Sequence, residues 1–246
     1  QMKQHIEKYN VDFIGMPDDN FAVNYQRCKD LVTLLKPLKI RWGTLTRLDN
    51  AAGLRIKSGT ESEYIFENPK RIDLMAEAGC VYIGVGAERA SPRALTAMNK
   101  GGFILQNGLV DTKVDGKMYQ FPRTMIEGIR NCNLAGIHIN CTWIMAYPME
   151  TLEDLKISVA FIKWQEDFYA SIGKPPESVN KRMFTATWYP GTTMQYQPKV
   201  ERLLNEVFGI TFDKVTREPI CDENFHQYVL ELDDATKLLH DPKTGQ

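Results

Sequence analysis

The sequence lacks several features that would assign it to other classes of protein. It contains no apolar run of the roughly 18 residues that span a bilayer, so we expect no membrane partner. The first ten residues are polar and charged, which predicts no signal peptide. An excess of one charge is missing too, because 30 basic and 31 acidic side chains give a formal net charge of −1. Since nucleic-acid-binding proteins usually carry a concentrated basic surface, we expect no nucleic-acid partner.

Metal-ligand and nucleotide motifs are also scarce. The 246 residues include five cysteines without a C-x-x-C pair and four histidines without metal-ligand spacing. Scattered cysteines disfavour a disulfide framework and favour a reducing, cytoplasmic location. Gly84 and Gly86 begin a dinucleotide fingerprint, but no third glycine follows where that motif requires it. We interpret the cysteines and His138 as core residues; the cysteines are Cys28, Cys80, Cys132, Cys141 and Cys221.

Short apolar segments alternate with segments of helical periodicity along most of the chain. Hydrophobic residues make up 43%, enough for a normal core. We predict strands at 11–16, 39–47, 80–87, 137–146 and 182–188. The first predicted helix is capped by an aspartate before residue 21 and ends at residue 35. Further helices are predicted at 69–78, from residue 91, at 122–135, at 152–166 and at 194–208. Such alternation predicts βαβ units and a parallel sheet, in either an open doubly wound sheet or a barrel.

Two segments interrupt this alternation, and each carries turn signals between β-prone residues. We predict hairpin insertions at 51–67, around Ser58-Gly59, and at 101–121, around Asp115-Gly116. Each is either a surface decoration or a lid over a substrate. The predicted organisation is therefore a core at 1–210 with two insertions, followed by a C-terminal extension at 211–246.

Charged residues follow the predicted strands where each strand ends. Asp18 and Asp19 follow the first strand, Arg47 the second and Glu88 the third. Because the carboxyl ends of parallel strands meet at one edge, these groups should converge there. Such an edge suits a ligand with amine, carboxylate and ribose hydroxyl groups. Two alternatives remain open. The charged residues are only helix caps and surface ion pairs, or Asp19 and Glu88 form the acid–base pair of a hydrolase or lyase.

Several segments, in their order and spacing, resemble radical S-adenosylmethionine (SAM) enzymes over residues 10–195. The nearest likeness is to the group that carries a cobalamin-binding domain. Asp18-Asp19-Asn20-Phe21 is similar to the family's DD-x-F, and Ile144 to Thr151 to its G-x-P-x-E-T turn. Ala146 replaces a usual glycine, and Arg89 a common serine. The other matching segments are 42–47, 75–80, 84–88, 98–101 and 190–192.

The resemblance implies a fold and a set of cofactors. The expected fold is α/β, a partial (β/α)6 TIM-like barrel with parallel strands and its first strand absent. The cofactors are SAM, a 4Fe–4S cluster and, in the cobalamin-carrying group, cobalamin, whose participation stays open. The sequence lacks the cluster motif C-x-x-x-C-x-x-C. We therefore expect no metal ligand in this chain, the cluster cysteines upstream of Gln1, and no activity of these residues alone.

The resemblance also implies residue roles and a reaction. Pro17, Asp18 and Asp19 would lie near the methionine part of SAM, Glu88 near ribose or methionine, and Arg47 near the carboxylate. The backbone of Ile144 and Ala146 would pair with adenine. The reaction would be reductive cleavage of SAM to a 5′-deoxyadenosyl radical, used in methylation or cyclisation. Expected partners are a small-molecule or natural-product substrate and an electron donor such as flavodoxin or ferredoxin. A relative without a cluster that still binds SAM is the remaining alternative.

Overall fold

The structure is a computed structural model of the chain. It describes residues 2–56, 64–147, 150–186, 201–202, 205–206 and 211–216. Four of the sequence predictions therefore lie wholly or mostly outside the described residues: the turn at Ser58-Gly59, the segment 190–192, the helix at 194–208 and the C-terminal extension with Cys221.

Nine strands are defined in the described part of the chain. They are β1 (Phe13–Gly15), β2 (Arg41–Leu45), β3 (Leu54–Ile56), β4 (Tyr64–Phe66), β5 (Cys80–Glu88), β6 (Leu109–Val114), β7 (Lys117–Pro122), β8 (His138–Met145) and β9 (Met183–Thr185). Five of them form one sheet in the order β1-β2-β5-β8-β9. The pairs β1–β2, β2–β5 and β5–β8 are parallel.

The helices connect these strands, as the alternation predicts. They are α1 (Met2–Tyr9), α2 (Tyr25–Leu35), α3 (Leu48–Ala52), α4 (Arg71–Glu77), α5 (Pro92–Ala97), α6 (Gly101–Ile104), α7 (Arg123–Leu134) and α8 (Leu152–Ser171). Short 3-10 helices lie at Lys36–Leu38 and Pro176–Ser178. Each strand of the large sheet is added beyond the one before it in the chain, whereas a doubly wound sheet reverses direction. The α/β fold is thus part of a TIM-like barrel.

The chain divides into two compact units. One comprises Gln1–Trp143 with Thr151–Arg182, and the other Ile144–Glu150 with Met183–Gln246. Helices α1–α8 all belong to the first unit, together with the strands from β1 to the greater part of β8. The end of β8 and β9 belong to the second.

The predicted helix starts can be compared with the observed ones at α8 and α2. Thr151 and Asp154 form the capping box predicted for α8, with the Thr151 side chain accepting from the Asp154 amide. For α2 the predicted aspartate cap is wrong. The cap is Asn24, whose Oδ1 accepts from the Arg27 amide at 2.9 Å, so the helix begins at Tyr25.

The two faces of the sheet in the first unit differ. One face is buried under the helices and includes Trp42, Ile83, Val85, Ile139 and Cys141. The other leaves Phe13 42% and Leu45 46% exposed and carries glycines and half-buried polar residues. His138 lies half-buried on this open face, stacked at 6.0 Å on Tyr82, so its interpretation as a core histidine is wrong.

Antiparallel pairs occur in both segments that interrupt the alternation. Strand β3 pairs with β4, and β6 pairs with β7. Asp115 and Gly116, at φ +46° and +83°, make the tight turn between β6 and β7. The short helices α3 and α6 were not predicted, because each is too short to show a helical period.

Candidate functional site

The carboxyl ends of three neighbouring strands are held together in the first unit. The Met16 amide donates to the Gly43 carbonyl at 2.8 Å, so the chain leaving β1 stays against β2. Likewise the Thr46 amide donates to the Gly84 carbonyl at 3.0 Å, which keeps the end of β2 against β5. These bonds place the segments that begin at residues 16, 46 and 88 along one edge of the sheet.

Glu88 ends β5 in an unusual backbone conformation. Its φ is +58°, a left-handed value that side-chain-bearing residues adopt at a cost of about 1–3 kcal/mol. The pairing register between β5 and β8 shifts between Gly86 and Glu88, so the strand bulges there. The Glu88 side chain lies on the open face, where the strand's alternation after Gly84 and Gly86 places it, and its carboxylate turns back toward Gly86.

The position of the Glu88 carboxylate depends on Gly86. A Cβ atom added to Gly86 would lie 2.6 Å from Glu88 Oε1, closer than real Cβ contacts. The carboxylate therefore occupies the space that a side chain at residue 86 would fill. Lys100 approaches it, with Nζ 3.5 Å from Oε1, and the Glu88 side chain is only 13% exposed. The result is a partly enclosed carboxylate at the edge where SAM binding is predicted.

Asp18 is engaged within its own loop. Its Oδ1 accepts from the Asn20 amide at 3.0 Å, and its Oδ2 pairs with Arg27 at 2.5 Å. The hydrogen bond from Arg27, followed by that from the Asn20 amide, lowers the pKa of Asp18 below its ordinary value. Asp18 thus closes the loop between β1 and α2, whereas Asp19 and Pro17 are exposed on it.

Arg47 is held in a fixed orientation before α3. Its guanidinium donates to both carboxylate oxygens of Asp49, at 3.0 and 2.8 Å, and lies 3.6 Å from the Phe103 ring centroid. The ion pair that the sequence left open is therefore present. Since the Arg47 side chain remains 42% exposed, its predicted role toward a ligand carboxylate stays a prediction.

The predicted adenine-contacting residues lie in the second unit. Ala146 has φ +59°, which explains why a glycine would be natural at this position. Its amide donates to Glu150 Oε2 at 2.7 Å, and the neighbouring Met145 carbonyl accepts from the Ala186 amide at 2.8 Å. Ile144 is half-buried. The Ala146 amide is thus used within the unit, and the predicted pairing with adenine stays a prediction.

Sequence reasoning missed a buried polar cluster around Asp154 in the first unit. Asp154, 2% exposed, accepts from Ser91 Oγ at 2.5 Å, from Arg93 and from the Thr151 hydroxyl and amide. Burial alone would raise the pKa of Asp154, but the hydrogen bonds from Arg93, Ser91 and Thr151 outweigh it and hold the pKa well below its usual value. The sequence indicated only the capping box of Thr151 and Asp154. Ser91 lies 63 residues from Asp154 in the chain, so no local pattern connects the two.

The described residues do not fit a 4Fe–4S cluster. They contain no group of three or more His, Cys, Asp or Glu side chains that could hold a metal ion. The four described cysteines are buried and unpaired with one another; they are Cys28, Cys80, Cys132 and Cys141. Burial raises the pKa of Cys28 to about 11 and that of Cys80 and Cys141 to about 12, whereas cluster ligands are thiolates. They are core thiols, as predicted.

Comparisons with known proteins show one related sequence and a shared fold. No model of a known protein family matches the chain. An uncharacterized methyltransferase of Pyrococcus horikoshii is 26% identical over 190 residues, which cover 76% of this chain and 31% of that protein. The cobalamin-dependent SAM radical enzyme OxsB with aqua-cobalamin bound superposes with a TM-score of 0.55 at 18% identity, over 95% of this chain and 35% of OxsB.

A second OxsB structure, with aqua-cobalamin and SAM bound, gives a TM-score of 0.51 at 17% identity over 94% of this chain and 34% of that one. At such identities the likeness establishes the fold. The chain spans about a third of the length of each of these proteins. Among the described helices, none is long and apolar enough to cross a membrane.

Proposed function

We propose that this chain is the SAM-binding barrel part of a radical SAM enzyme, in which Glu88 binds the ribose of SAM. The observation that carries the proposal is the conformation of Glu88. A left-handed backbone and a glycine two residues earlier hold its carboxylate back over the open face at the carboxyl edge. Strain of this kind persists where function requires a side chain in one place.

The chemistry of this edge fits SAM. A carboxylate has two oxygens that accept hydrogen bonds, which matches the two neighbouring hydroxyl donors of a ribose. Lys100, near Glu88 Oε1, limits where that carboxylate can swing. Arg47, fixed by Asp49 and Phe103, offers a cation for the ligand's carboxylate, and the exposed Asp19 an acceptor for its amine. In the second unit, the predicted pairing of the Ala146 backbone with adenine stays a prediction.

The cluster and its chemistry belong to parts of the protein beyond the described residues. When bound, the 4Fe–4S cluster supplies the electron that cleaves SAM to a 5′-deoxyadenosyl radical. The described residues would bind and orient SAM and keep water from its reactive end. We propose that the cluster cysteines lie upstream of Gln1 and that an electron donor such as flavodoxin or ferredoxin reduces the cluster in the cytoplasm.

Methylation of a small molecule or natural product is the reaction we propose. The support is the name of the Pyrococcus horikoshii relative, a methyltransferase, together with the fold shared with OxsB, described as cobalamin-dependent. Cyclisation is the second reaction compatible with this fold. Cobalamin would take part in either reaction as a cofactor bound by another part of the protein.

Formation of 5′-deoxyadenosine from SAM tests this proposal. The full-length protein is reconstituted anaerobically with iron and sulfide, reduced with dithionite and incubated with SAM, and the products are separated by liquid chromatography. We expect 5′-deoxyadenosine from the wild type and at least about a tenfold loss in Glu88→Gln, since hydrogen bonds to a charged group contribute about 1.5–3 kcal/mol. Glu153→Gln, a change at a 70% exposed side chain, is the control and should match the wild type.

Three outcomes discriminate between the alternatives. SAM binding without any 5′-deoxyadenosine, in a protein that takes up no cluster, would identify the cluster-less relative. Absence of SAM binding, with a carboxylate pH profile for a hydrolytic activity, would identify the acid–base enzyme. Equal product from the wild type and Glu88→Gln would contradict the role given to Glu88.

A further inference from the structure

The turn that follows Glu88 is fastened to the first two turns of α8. The Ala90 amide, two residues after Glu88, donates to Ser158 Oγ at 3.2 Å. The next residue, Ser91, donates from its hydroxyl to Asp154 Oδ1 at 2.5 Å. Arg93 adds an ion pair to the same carboxylate. Three contacts, from residues 90, 91 and 93, thus join this segment to one helix within the first unit.

The anchors at Ala90 and Ser91 are buried and connected to one another, whereas Arg93 is exposed. Ala90, Ser91 and Ser158 are at most 1% exposed, and Asp154 is 2% exposed. Ser158 Oγ, which accepts from Ala90, itself donates to the Asp154 carbonyl at 3.0 Å. Buried hydrogen bonds to an ionised group are among the stronger ones in proteins, and a missing partner leaves a buried donor unsatisfied. The connection between the segment 90–93 and α8 is therefore rigid.

The backbone at Glu88 needs such support. A residue with φ of +58° returns to an ordinary conformation unless its flanks prevent it. On its amino side, the pairing of β5 with β8 holds Gly86 opposite Thr142 and, past the bulge, Glu88 opposite Trp143. On its carboxyl side, the Arg89 amide makes a tight turn to the Ala87 carbonyl at 2.7 Å, and the hydrogen bonds of Ala90 and Ser91 to α8 follow.

We infer that Asp154 and Ser158 are positioning residues for SAM binding, acting through Glu88. They fix the segment after Glu88 and so hold its carboxylate where the ribose is bound. The inference rests on the proposed function, because it assigns to α8 a part in SAM affinity that helix capping alone would not have. It also predicts that replacing Asp154 or Ser158 no longer changes SAM affinity once Glu88 can no longer bind SAM.

The test is a double-mutant cycle on SAM affinity. The dissociation constant for SAM is measured anaerobically by isothermal titration calorimetry with the full-length, cluster-loaded protein. We expect Asp154→Asn and Ser158→Ala each to raise the dissociation constant about fivefold to twentyfold. Combined with Glu88→Gln, either change should add less than about twofold to the effect of Glu88→Gln alone, because residues that act through one group are not additive.

Thr151→Ala is the matched control. It weakens the cap of the same helix but removes no bond to the segment 90–93. We expect it to lower the unfolding temperature about as much as Ser158→Ala does while SAM affinity stays within about twofold of the wild type. If Thr151→Ala weakens SAM binding as much as Ser158→Ala, the role of α8 is structural and the inference is wrong.

The remaining outcomes separate the inference from the proposed function. If Glu88→Gln leaves SAM affinity unchanged, the proposed function fails first. If Glu88→Gln weakens binding but Ser158→Ala does not, only the inference fails. Additive effects of Ser158→Ala and Glu88→Gln would also overturn it, since they would show that Ser158 acts by another route. Ser158→Ala removes a single oxygen, so it keeps the test decisive even if Asp154→Asn prevents folding.

Discussion

Replacing Gly86 with alanine should weaken SAM binding without weakening the fold. The added Cβ would lie 2.6 Å from Glu88 Oε1, while ordinary contact begins at 3.4 Å, so the carboxylate must retreat by about 0.8 Å. The clashing atom is the end of a flexible side chain, so the structure can yield there at little cost. Alanine in a strand is also more stable than glycine by about 0.5–1 kcal/mol. The free energy of unfolding should therefore stay the same or rise slightly.

The SAM affinity should change in the opposite direction. A displacement near 1 Å at a binding group can cost up to about a hundredfold, so we expect a dissociation constant raised about tenfold to a hundredfold, or about 1.4–2.7 kcal/mol. Calorimetric titration with SAM and urea unfolding of the same preparations measure the two effects separately.

Gly84→Ala is the matched control, two residues earlier on the same strand. Its Cβ would lie 2.7 Å from Leu45 Cδ2, which can rotate away without moving Glu88. It should leave SAM affinity within about twofold. Wild-type affinity in Gly86→Ala, or an equal loss in Gly84→Ala, would refute the reasoning.

Three further predictions concern stability and reactivity. Gly79→Ala should lower the free energy of unfolding, measured in urea, by more than about 2 kcal/mol, because φ is +92° and the Cβ would lie 2.4 Å from the Ile40 carbonyl oxygen. Gly173→Ala is the control, since Gly173 has φ +73° but open space around it. It should cost only the backbone strain, about 1 kcal/mol. The lowered pKa of Asp154 stabilises the fold above the unfolded value of about 3.9, and this stability is lost as pH falls below it, so Asp154→Asn should flatten the acid limb of a stability–pH curve; an unchanged limb would contradict this. The four described cysteines, Cys28, Cys80, Cys132 and Cys141, should resist Ellman's reagent in the native protein and react after unfolding. Rapid labelling of the native protein would show that they are not core thiols.

The fold could be predicted from the sequence because its signals are local and repeated. Apolar segments followed by helical periodicity marked the strands of the large sheet, and Thr151 with Asp154 marked the start of α8. Periodicity did not decide between a barrel and a doubly wound sheet. That choice depends on the order in which strands pair, which the sequence does not encode locally.

The site was predictable only in part, for a related physical reason. The positions of Glu88 and Arg47 after strands indicated which edge they would share. Asp18 was predicted as a helix cap or a ligand. Asn24 is the cap, and the contacts of Asp18 with Arg27 and the Asn20 amide close a loop, while its role toward SAM stays a prediction. The connection of Ser91 to Asp154 crosses 63 residues and depends on tertiary packing, so no spacing rule could reveal it.

The structure of the full-length protein with SAM bound tests the central claim most directly. We predict the ribose hydroxyls of SAM within about 2.6–3.2 Å of the Glu88 carboxylate, with that side chain lying over Gly86. The claim would be contradicted if SAM were bound elsewhere, or at this edge with its ribose out of hydrogen-bonding reach of Glu88.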